Sequence, residues 1–315
     1  MTGVRNLLAR PWIWSYMAAL AVWLATMAFT QGHGGAGLIS AALTFATFFV
    51  IVGIGQMFVI TLGPGNVDLS IPATMTLAGS VAMKIMDSQD PMVLPGLIAA
   101  LGCGVAVGAF NYALILLLRI PPIIATLSAA FVVQSVAIAY GRGLRIKPPQ
   151  MLADFTTAQV AGIPVLAIAV VGFAGLMSVV LRRTVFGRSV TAIGQSPRAA
   201  ALAGIKVERV RFATYVMCAM LAALCGYLFS GFSGRSSLSM GEQYLLASIA
   251  VVVIGGTSVA GGNGNVAGLW GAALFLFLLQ SMLNTYQLSA GLRYLATGLI
   301  IIAVITAAGG QKAPR

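Results

Sequence analysis

Apolar residues run in long stretches along this chain, separated by short polar or glycine-rich segments. Most of these stretches approach the roughly 20 residues that an α-helix needs to cross the hydrocarbon core of a bilayer. The pattern predicts an all-α, polytopic membrane protein with about ten transmembrane helices, some of them broken or re-entrant. The ten apolar stretches are residues 12–30, 38–62, 71–86, 92–118, 123–140, 163–181, 212–232, 244–260, 266–284 and 291–309.

Residues 182–211 form the longest polar run in the chain and contain one acidic residue, Glu208. Basic loops of membrane proteins stay preferentially in the cytoplasm, so this loop predicts the orientation of every helix. With a cytoplasmic N-terminus, twelve of the eighteen Lys and Arg residues fall on the inner side, which supports both the helix count and two cytoplasmic termini. The basic residues of the run are Arg182, Arg183, Arg188, Arg198, Lys206, Arg209 and Arg211.

A short helix with two marked ends is predicted inside this loop, from Pro197 to Ala203. Ser196 can cap its first free N–H groups, Pro197 suits the first helical position, and Gly204 can adopt the left-handed turn that ends it. Two interpretations stay open. The segment is either a solvated loop that joins two spans, or a docking helix whose alanine face sits in a groove of a soluble partner.

The segment from Gly63 to Ser70 interrupts two apolar stretches, and the second of them is only about sixteen residues long, too short to span alone. Backbone freed by Gly and Pro inside a membrane must be buried in protein or line a watery cavity, so this break is a candidate for the substrate path. An interfacial turn in which Asp68 or Ser70 caps the next helix is the equal alternative.

Two further segments have a structural interpretation. Pro121 and Pro122 predict a rigid corner before the helix that restarts at Ile123. The glycine-dense residues 255–265 resemble a phosphate loop only superficially, because no lysine of the chain follows a glycine as a Walker A motif requires. The chain therefore shows no nucleotide site of its own.

Composition narrows the class further. A mean hydropathy of +0.98 with 8% charged residues excludes a soluble domain, and the 37 glycines suit closely packed transmembrane helices. The net charge of +12 reflects basic loops between spans and does not indicate nucleic acid. His33 is the only histidine, and three cysteines and six acidic residues are scattered, so neither a metal site nor a catalytic constellation is indicated.

Four stretches, taken together and in order, resemble the permease subunits of ABC importers for ribose, xylose and related sugars, a family that also includes branched-chain amino acid permeases. The similarity extends from the second apolar stretch to the tenth. The matching stretches are Val67-Asp68-Leu69-Ser70, Ile120-Pro121-Pro122-Ile123-Ile124-Ala125-Thr126-Leu127, Gly194-Gln195-Ser196-Pro197-Arg198-Ala199-Ala200 with Gly204-Ile205, and Ile254-Gly255-Gly256-Thr257-Ser258 with Gly261-Gly262.

This resemblance implies a single transmembrane permease domain, residues 1–315, in the bacterial inner membrane. It implies three kinds of protein partner: ABC ATPase subunits, a periplasmic solute-binding protein and a second permease subunit, identical or related. No cofactor is then bound by this chain, since ATP and Mg²⁺ belong to the ATPase. Residues 182–211 would be the coupling loop, with Gly194, Ser196, Pro197, Arg198, Ala199, Ala200 and Gly204 as its ATPase-coupling residues.

The predicted function is to translocate a monosaccharide or similar small polar solute into the cytoplasm by alternating access. Alternatives are a secondary transporter coupled to an ion gradient, a permease for branched-chain amino acids, and a membrane-embedded enzyme. The segment 63–72 has two prolines and an apparent insertion relative to the family's Gly-Gly-Ile-Asp-Leu-Ser-Val-Gly. The resemblance therefore supports the class of transporter more strongly than the identity of the solute. Candidate substrate-path residues are Gln56, Asn66, Asp68, Ser70, Asn111 and Gln134, each of which could instead bond a neighbouring helix.

Overall fold

The structure, a computed structural model, describes residues 11–31, 35–286 and scattered positions between 289 and 303. The last apolar stretch, His33 and both termini lie wholly or mostly outside the described residues. The described part is a helical bundle with one two-stranded hairpin. Its elements are α1 (Pro11–Phe29), α2 (Gly35–Thr61), α3 (Ile71–Met86), α4 (Val93–Leu118), α5 (Pro122–Gly141), α6 (Gln150–Thr157), β1 (Gln159–Val160), β2 (Ile163–Pro164), α7 (Val165–Arg183), α8 (Val185–Gln195), α9 (Pro197–Leu202), α10 (Val207–Ser233), α11 (Tyr244–Ile254) and α12 (Ala267–Thr285).

Seven of the described helices are long and apolar enough to cross a membrane: α1, α2, α4, α5, α7, α10 and α12. Helices α3 and α11 are apolar but have only 16 and 11 residues. At 1.5 Å per residue α11 is about 16 Å long, roughly half of the hydrocarbon thickness. The prediction of an all-α, multi-pass membrane protein with some incomplete helices is confirmed.

Helix α10 lies at the centre of the bundle and packs against α2, α3 and α4. Glycines make these close crossings possible. A Cβ at Gly104 of α4 would stand 2.7 Å from the Met220 Cα, and Gly226 of α10 lies directly on the backbone of Met75. Because such positions leave no room for a side chain, the glycines serve helix packing as the composition predicts.

The segments that connect the helices contact one another at the two ends of the bundle. At the end that carries residues 182–211, here called the basic end, the Gly262 N–H donates to the carbonyl of Thr61 at 2.9 Å. At the opposite end the Ser88 hydroxyl donates to the carbonyl of Lys147 at 2.9 Å, and the Met151 N–H donates to Asp90 at 2.9 Å. These contacts gather the connections around residues 62 and 262 at one end and those around residues 88–90 and 147–151 at the other.

Residues 182–211 are more ordered than one loop around a single short helix. Helix α7 continues to Arg183, and α8 follows at once, capped by the Thr184 hydroxyl, which accepts the Gly187 N–H at 3.2 Å. Val190 and Ile193 of α8 are buried, and Phe186 stacks on Phe58 of α2 with ring centroids 6.0 Å apart. The polar residues that suggest a loop are thus one face of an amphipathic helix.

Candidate functional site

The break after α2 is a tight turn that re-enters the bundle. Gly63 and Gly65 have φ values of 125° and 78°, a conformation that favours glycine. The N–H and side-chain amide of Asn66 both donate to the Gly63 carbonyl, at 3.3 and 3.1 Å. The turn sends the chain back between helices and ends where α3 begins.

A buried polar cluster surrounds Asp68, which is only 1% exposed. One of its carboxylate oxygens accepts the Ser70 N–H at 2.8 Å and the Ser70 hydroxyl at 2.6 Å. The side-chain amide of Asn111, on α4, donates to the same oxygen at 3.3 Å and to the Ser70 hydroxyl at 2.8 Å. The carboxylate is therefore surrounded by donors from its own chain.

Two more candidates join this cluster through the backbone of the break and through α10. The side-chain oxygen Oε1 of Gln56 accepts the Asp68 N–H at 3.2 Å, and the Asn66 side chain accepts the hydrogen bond of the Tyr215 hydroxyl at 3.1 Å. Tyr215 and Thr126, whose hydroxyl accepts the Leu69 N–H at 3.1 Å, are partners that the sequence reasoning missed. Thr126 lies within one of the matching stretches, whereas nothing in the sequence around Tyr215 marks it.

The sixth candidate, Gln134, lies apart from this cluster. Its amide donates to the carbonyl of Leu238 at 2.8 Å, in the connection between α10 and α11. Gln56, Ser70 and Asn111 are fully buried beside Asp68. The geometry gives the five clustered residues a structural role, which is to satisfy the broken backbone inside the bundle. Their place on the substrate path stays a prediction.

Helix α9 has the ends that the sequence predicts. The Ser196 hydroxyl accepts the Ala199 N–H at 3.3 Å, Pro197 is the first residue, and Gly204 has a φ of 84°. One expectation is wrong: Ala200 does not belong to the exposed alanine face, because it is 4% exposed and packs in the core. The outer surface instead consists of Arg198, Ala199, Ala201, Ala203 and Leu202, which is 91% exposed.

The base of α9 is attached to the membrane helices by backbone packing. Gly194 at the end of α8 lies directly against the Thr61 carbonyl and the backbone of Gly262, and Gly261 lies against Gly63 in the same way. None of these contacts leaves space for a Cβ atom. The exposed helix, the end of α2 and the glycine-rich segment therefore form one rigid junction.

The glycine-rich residues 255–265 form turns in which Gly256, Gly261 and Gly262 have positive φ. The Asn265 side chain donates to the Gly255 carbonyl at 3.0 Å, and Gly255 lies against Gly268 where α11 and α12 cross. This segment therefore closes the crossing of α11 and α12.

Two cavities with basic side chains in their walls open at the basic end. One, of about 450 Å³, lies between α8 and residues 263–264 and is lined by Arg182, Arg188, Thr191 and Gln195. The other, of about 390 Å³, lies beside the α4–α5 corner and is lined by Arg119, Glu208 and Arg211. The Tyr112 hydroxyl donates to Glu208, which fixes the beginning of α10 to α4. The first cavity thus lies against α8, and the second lies between the α4–α5 corner and the beginning of α10.

The connection from α10 to α11 also enters the bundle, from the opposite end. It is held by Ser236, whose hydroxyl is 3.0 Å from that of Ser80, and by the Gln134 bond to Leu238. At its tip Gly241 lies directly on the carbonyl of Pro72, and Tyr244 then begins the short helix α11. We call residues 234–243 the re-entrant segment.

Spanning helices with two inward-folded connections and a buried polar centre are typical of a membrane transport subunit. Residues 38–305 match the family described as branched-chain amino acid transport system, permease component, and the chain belongs to this family. It is thus a permease component, and its relatives are named as permeases rather than enzymes.

Individual relatives cover most of the chain. A ribose import permease protein of Bacillus subtilis is 33% identical over 81% of this chain and 79% of its own length. An autoinducer 2 import system permease protein of Enterobacter is 29% identical over 85% and 80%, and a fructose import permease protein of Rhizobium meliloti is 30% identical over 81% and 73%. No solved structure matches the chain.

Proposed function

We propose that this chain is the permease subunit of an ATP-driven importer that moves a monosaccharide, or a similar small polar solute, into the cytoplasm by alternating access. The observation that carries this proposal is the junction at which α9 presents an exposed Leu202 while Gly194 fixes its base to Thr61. An apolar side chain on a small, polar-flanked helix suits a pocket on a soluble protein. The names of the relatives support a sugar over a branched-chain amino acid.

The proposed partners occupy the two ends of the bundle. An ABC ATPase pair, which binds ATP and Mg²⁺ while this chain binds no cofactor, docks at the basic end on α9 and the two cavities at that end. Arg182 and Arg188 in one cavity offer sites for acidic side chains of the ATPase. A second permease subunit lies beside this one in the inner membrane, and a periplasmic solute-binding protein docks at the opposite end. Both termini lie in the cytoplasm.

The junction gives the proposed coupling a physical route. Because Gly194, Thr61 and Gly262 touch through backbone atoms, no flexible side chain can absorb a displacement of α9. The displacement passes to the end of α2 and to the turn at Gly63. That turn leads into the Asp68 cluster, so a movement of the ATPase would reach the middle of the bundle through rigid elements.

Uptake into proteoliposomes tests the proposal. The vesicles contain this permease, its ATPase and its binding protein, and the probes are labelled D-ribose, D-fructose and L-leucine. We expect uptake of one of the two sugars that requires ATP and the binding protein. A matched sample with an ATPase unable to hydrolyse ATP is the control. Uptake driven by a sodium or proton gradient without ATP would overturn the mechanism, and uptake of leucine alone would overturn the solute class.

A further inference from the structure

The tip of the re-entrant segment lies at the middle of the bundle. The ring of Tyr244 packs on the ring of Phe49, with the two centroids 5.0 Å apart. At 1.5 Å per residue, Phe49 lies about 18 Å from the Thr61 end of α2 and about 21 Å from its other end, which is near the middle of the helix. Gly241 touches Pro72, which lies about 21 Å from the Met86 end of α3 by the same rise. Two independent helices therefore give the same depth.

Glu242 lies between these two anchored residues and is exposed at the surface of the chain. Its neighbours Ser239 and Gln243 are exposed too. In the part of the chain that the structure describes, the only ion pair joins Arg211 and Glu208, so none of the described cations pairs with the Glu242 carboxylate. Its short side chain cannot reach either membrane surface from this depth.

A carboxylate at this depth is stable only where it meets water or polar groups, because lipid offers neither. The face around Glu242 is therefore not a lipid-facing surface. Leu246, four residues further along the chain and within α11, is 75% exposed, so an apolar side chain lies exposed close in sequence to the carboxylate. A few polar groups among apolar side chains are typical of sites that bind small solutes.

We propose that Glu242 lies on the translocation path and accepts hydrogen bonds from the hydroxyl groups of the passing solute. The identity of the solute rests on the proposed function, whereas the location of Glu242 on the path does not. Carboxylate oxygens are strong acceptors for hydroxyl donors, and the neighbouring Gln243 amide supplies both a donor and an acceptor. The pair suits a neutral, polyhydroxylated molecule.

The rigid setting of the tip supports a binding role. Gly241 fits on Pro72 only because it lacks a side chain. Three residues before Gly241, the carbonyl of Leu238 is held by the hydrogen bond from the Gln134 side chain. Glu242 itself donates its N–H to the carbonyl of Ser239 at 3.1 Å. A side chain that projects from backbone fixed in this way needs little reorganisation to bind a solute.

Cysteine labelling tests the location without any knowledge of the solute. In assembled transporter whose Cys103, Cys218 and Cys225 are replaced by alanine, Glu242→Cys is treated with a charged, membrane-impermeant maleimide. The control is Val105→Cys, near the middle of α4 on an apolar surface and 42% exposed in the native chain. We expect about tenfold faster labelling at position 242, because reaction requires a hydrated thiolate. Gln243→Cys repeats the measurement if Glu242→Cys does not assemble.

Equally slow labelling at positions 242 and 105 would overturn the location.

Uptake by Glu242→Gln then tests the binding role, with Glu242→Asp as the variant that keeps the charge. We expect Glu242→Gln to lower sugar uptake about tenfold, since a lost charged acceptor weakens each hydroxyl contact, while ATP hydrolysis and assembly persist. Normal uptake by Glu242→Gln would overturn the role. Absence of sugar uptake by the native chain would refute the proposed function and leave the labelling result intact.

Discussion

Gly194 rests against the carbonyl oxygen of Thr61 so closely that no side chain fits between them. That oxygen also accepts the N–H of Gly262 at 2.9 Å. The end of α8 and the glycine-rich segment therefore both contact one carbonyl group at the end of α2. Helix α9, which is largely exposed at the basic end, is thus bound through the end of α8 to the centre of the bundle.

Replacing Gly194 by alanine tests whether this contact holds the junction together. The added methyl group must push the backbones of Thr61 and Gly262 away, which should cost about 1–3 kcal/mol as overpacking does elsewhere. We expect a lower thermal unfolding temperature in detergent and reduced coupling of ATP hydrolysis to uptake.

Gly172→Ala is the matched control, because Gly172 lies within α7 with nothing near its missing Cβ position. An alanine there should leave stability unchanged or raise it by about 0.5–1 kcal/mol, since alanine favours a helix more than glycine does. Equal unfolding temperatures for the two variants would show that the Gly194 contact yields without cost.

Replacing Leu202 by glutamate probes the exposed surface of α9. Leu202 makes little contact with its own chain, so the permease should fold normally, whereas a buried charge in the proposed pocket should weaken ATPase binding by about 2 kcal/mol or more. Co-purification of the ATPase with the variant measures the effect.

The neighbouring Ala200→Glu separates binding from folding. Ala200 is buried against the bundle, so a glutamate there should destabilise α9 itself and lower the yield of folded permease. If Leu202→Glu binds the ATPase as tightly as the native chain, the partner does not use this face of α9.

The helices themselves follow closely from the apolar pattern. The third predicted stretch, 71–86, coincides with α3, and the capped ends of α9 are visible in Ser196, Pro197 and Gly204. These features depend on local chemistry, namely run length, capping and backbone conformation. Helix α8 is missed because its apolar residues lie on one helical face and are separated along the chain by glycine and polar residues, so they form no long apolar run.

Depth in the membrane is the property that the sequence does not reveal. Glu242 follows a serine-rich connection, which favours an ordinary surface loop, and only the long-range contacts of Gly241 with Pro72 and of Tyr244 with Phe49 place it at the middle of the bundle. Likewise, Gln134 could not be separated from the Asp68 cluster by its position in an apolar stretch. Such assignments need the packing of helices that are distant in sequence.

Asp68→Asn distinguishes a structural role from a place on the substrate path. The carboxylate accepts three donors from Ser70 and Asn111, and an amide in its place brings an additional donor into the cluster. We expect a loss of about 1–3 kcal/mol in stability, seen as a lower unfolding temperature, together with reduced uptake. Lost uptake at an unchanged unfolding temperature would instead place Asp68 in contact with the solute.

Replacing Gly241 by alanine should displace the tip of the re-entrant segment without touching the carboxylate of Glu242. The new methyl group would collide with the carbonyl of Pro72, which begins the helix that follows the Asp68 cluster, so the segment must move outward. We expect sugar uptake to fall and the labelling rate of a cysteine at position 242 to change, while ATPase binding at the distant basic end persists.

Gly234→Ala is a weaker comparison, because Gly234 has open space around it but a φ of 70° that alanine tolerates poorly. Unaltered uptake by Gly241→Ala, in protein with native stability, would mean that transport does not depend on the fixed position of this tip.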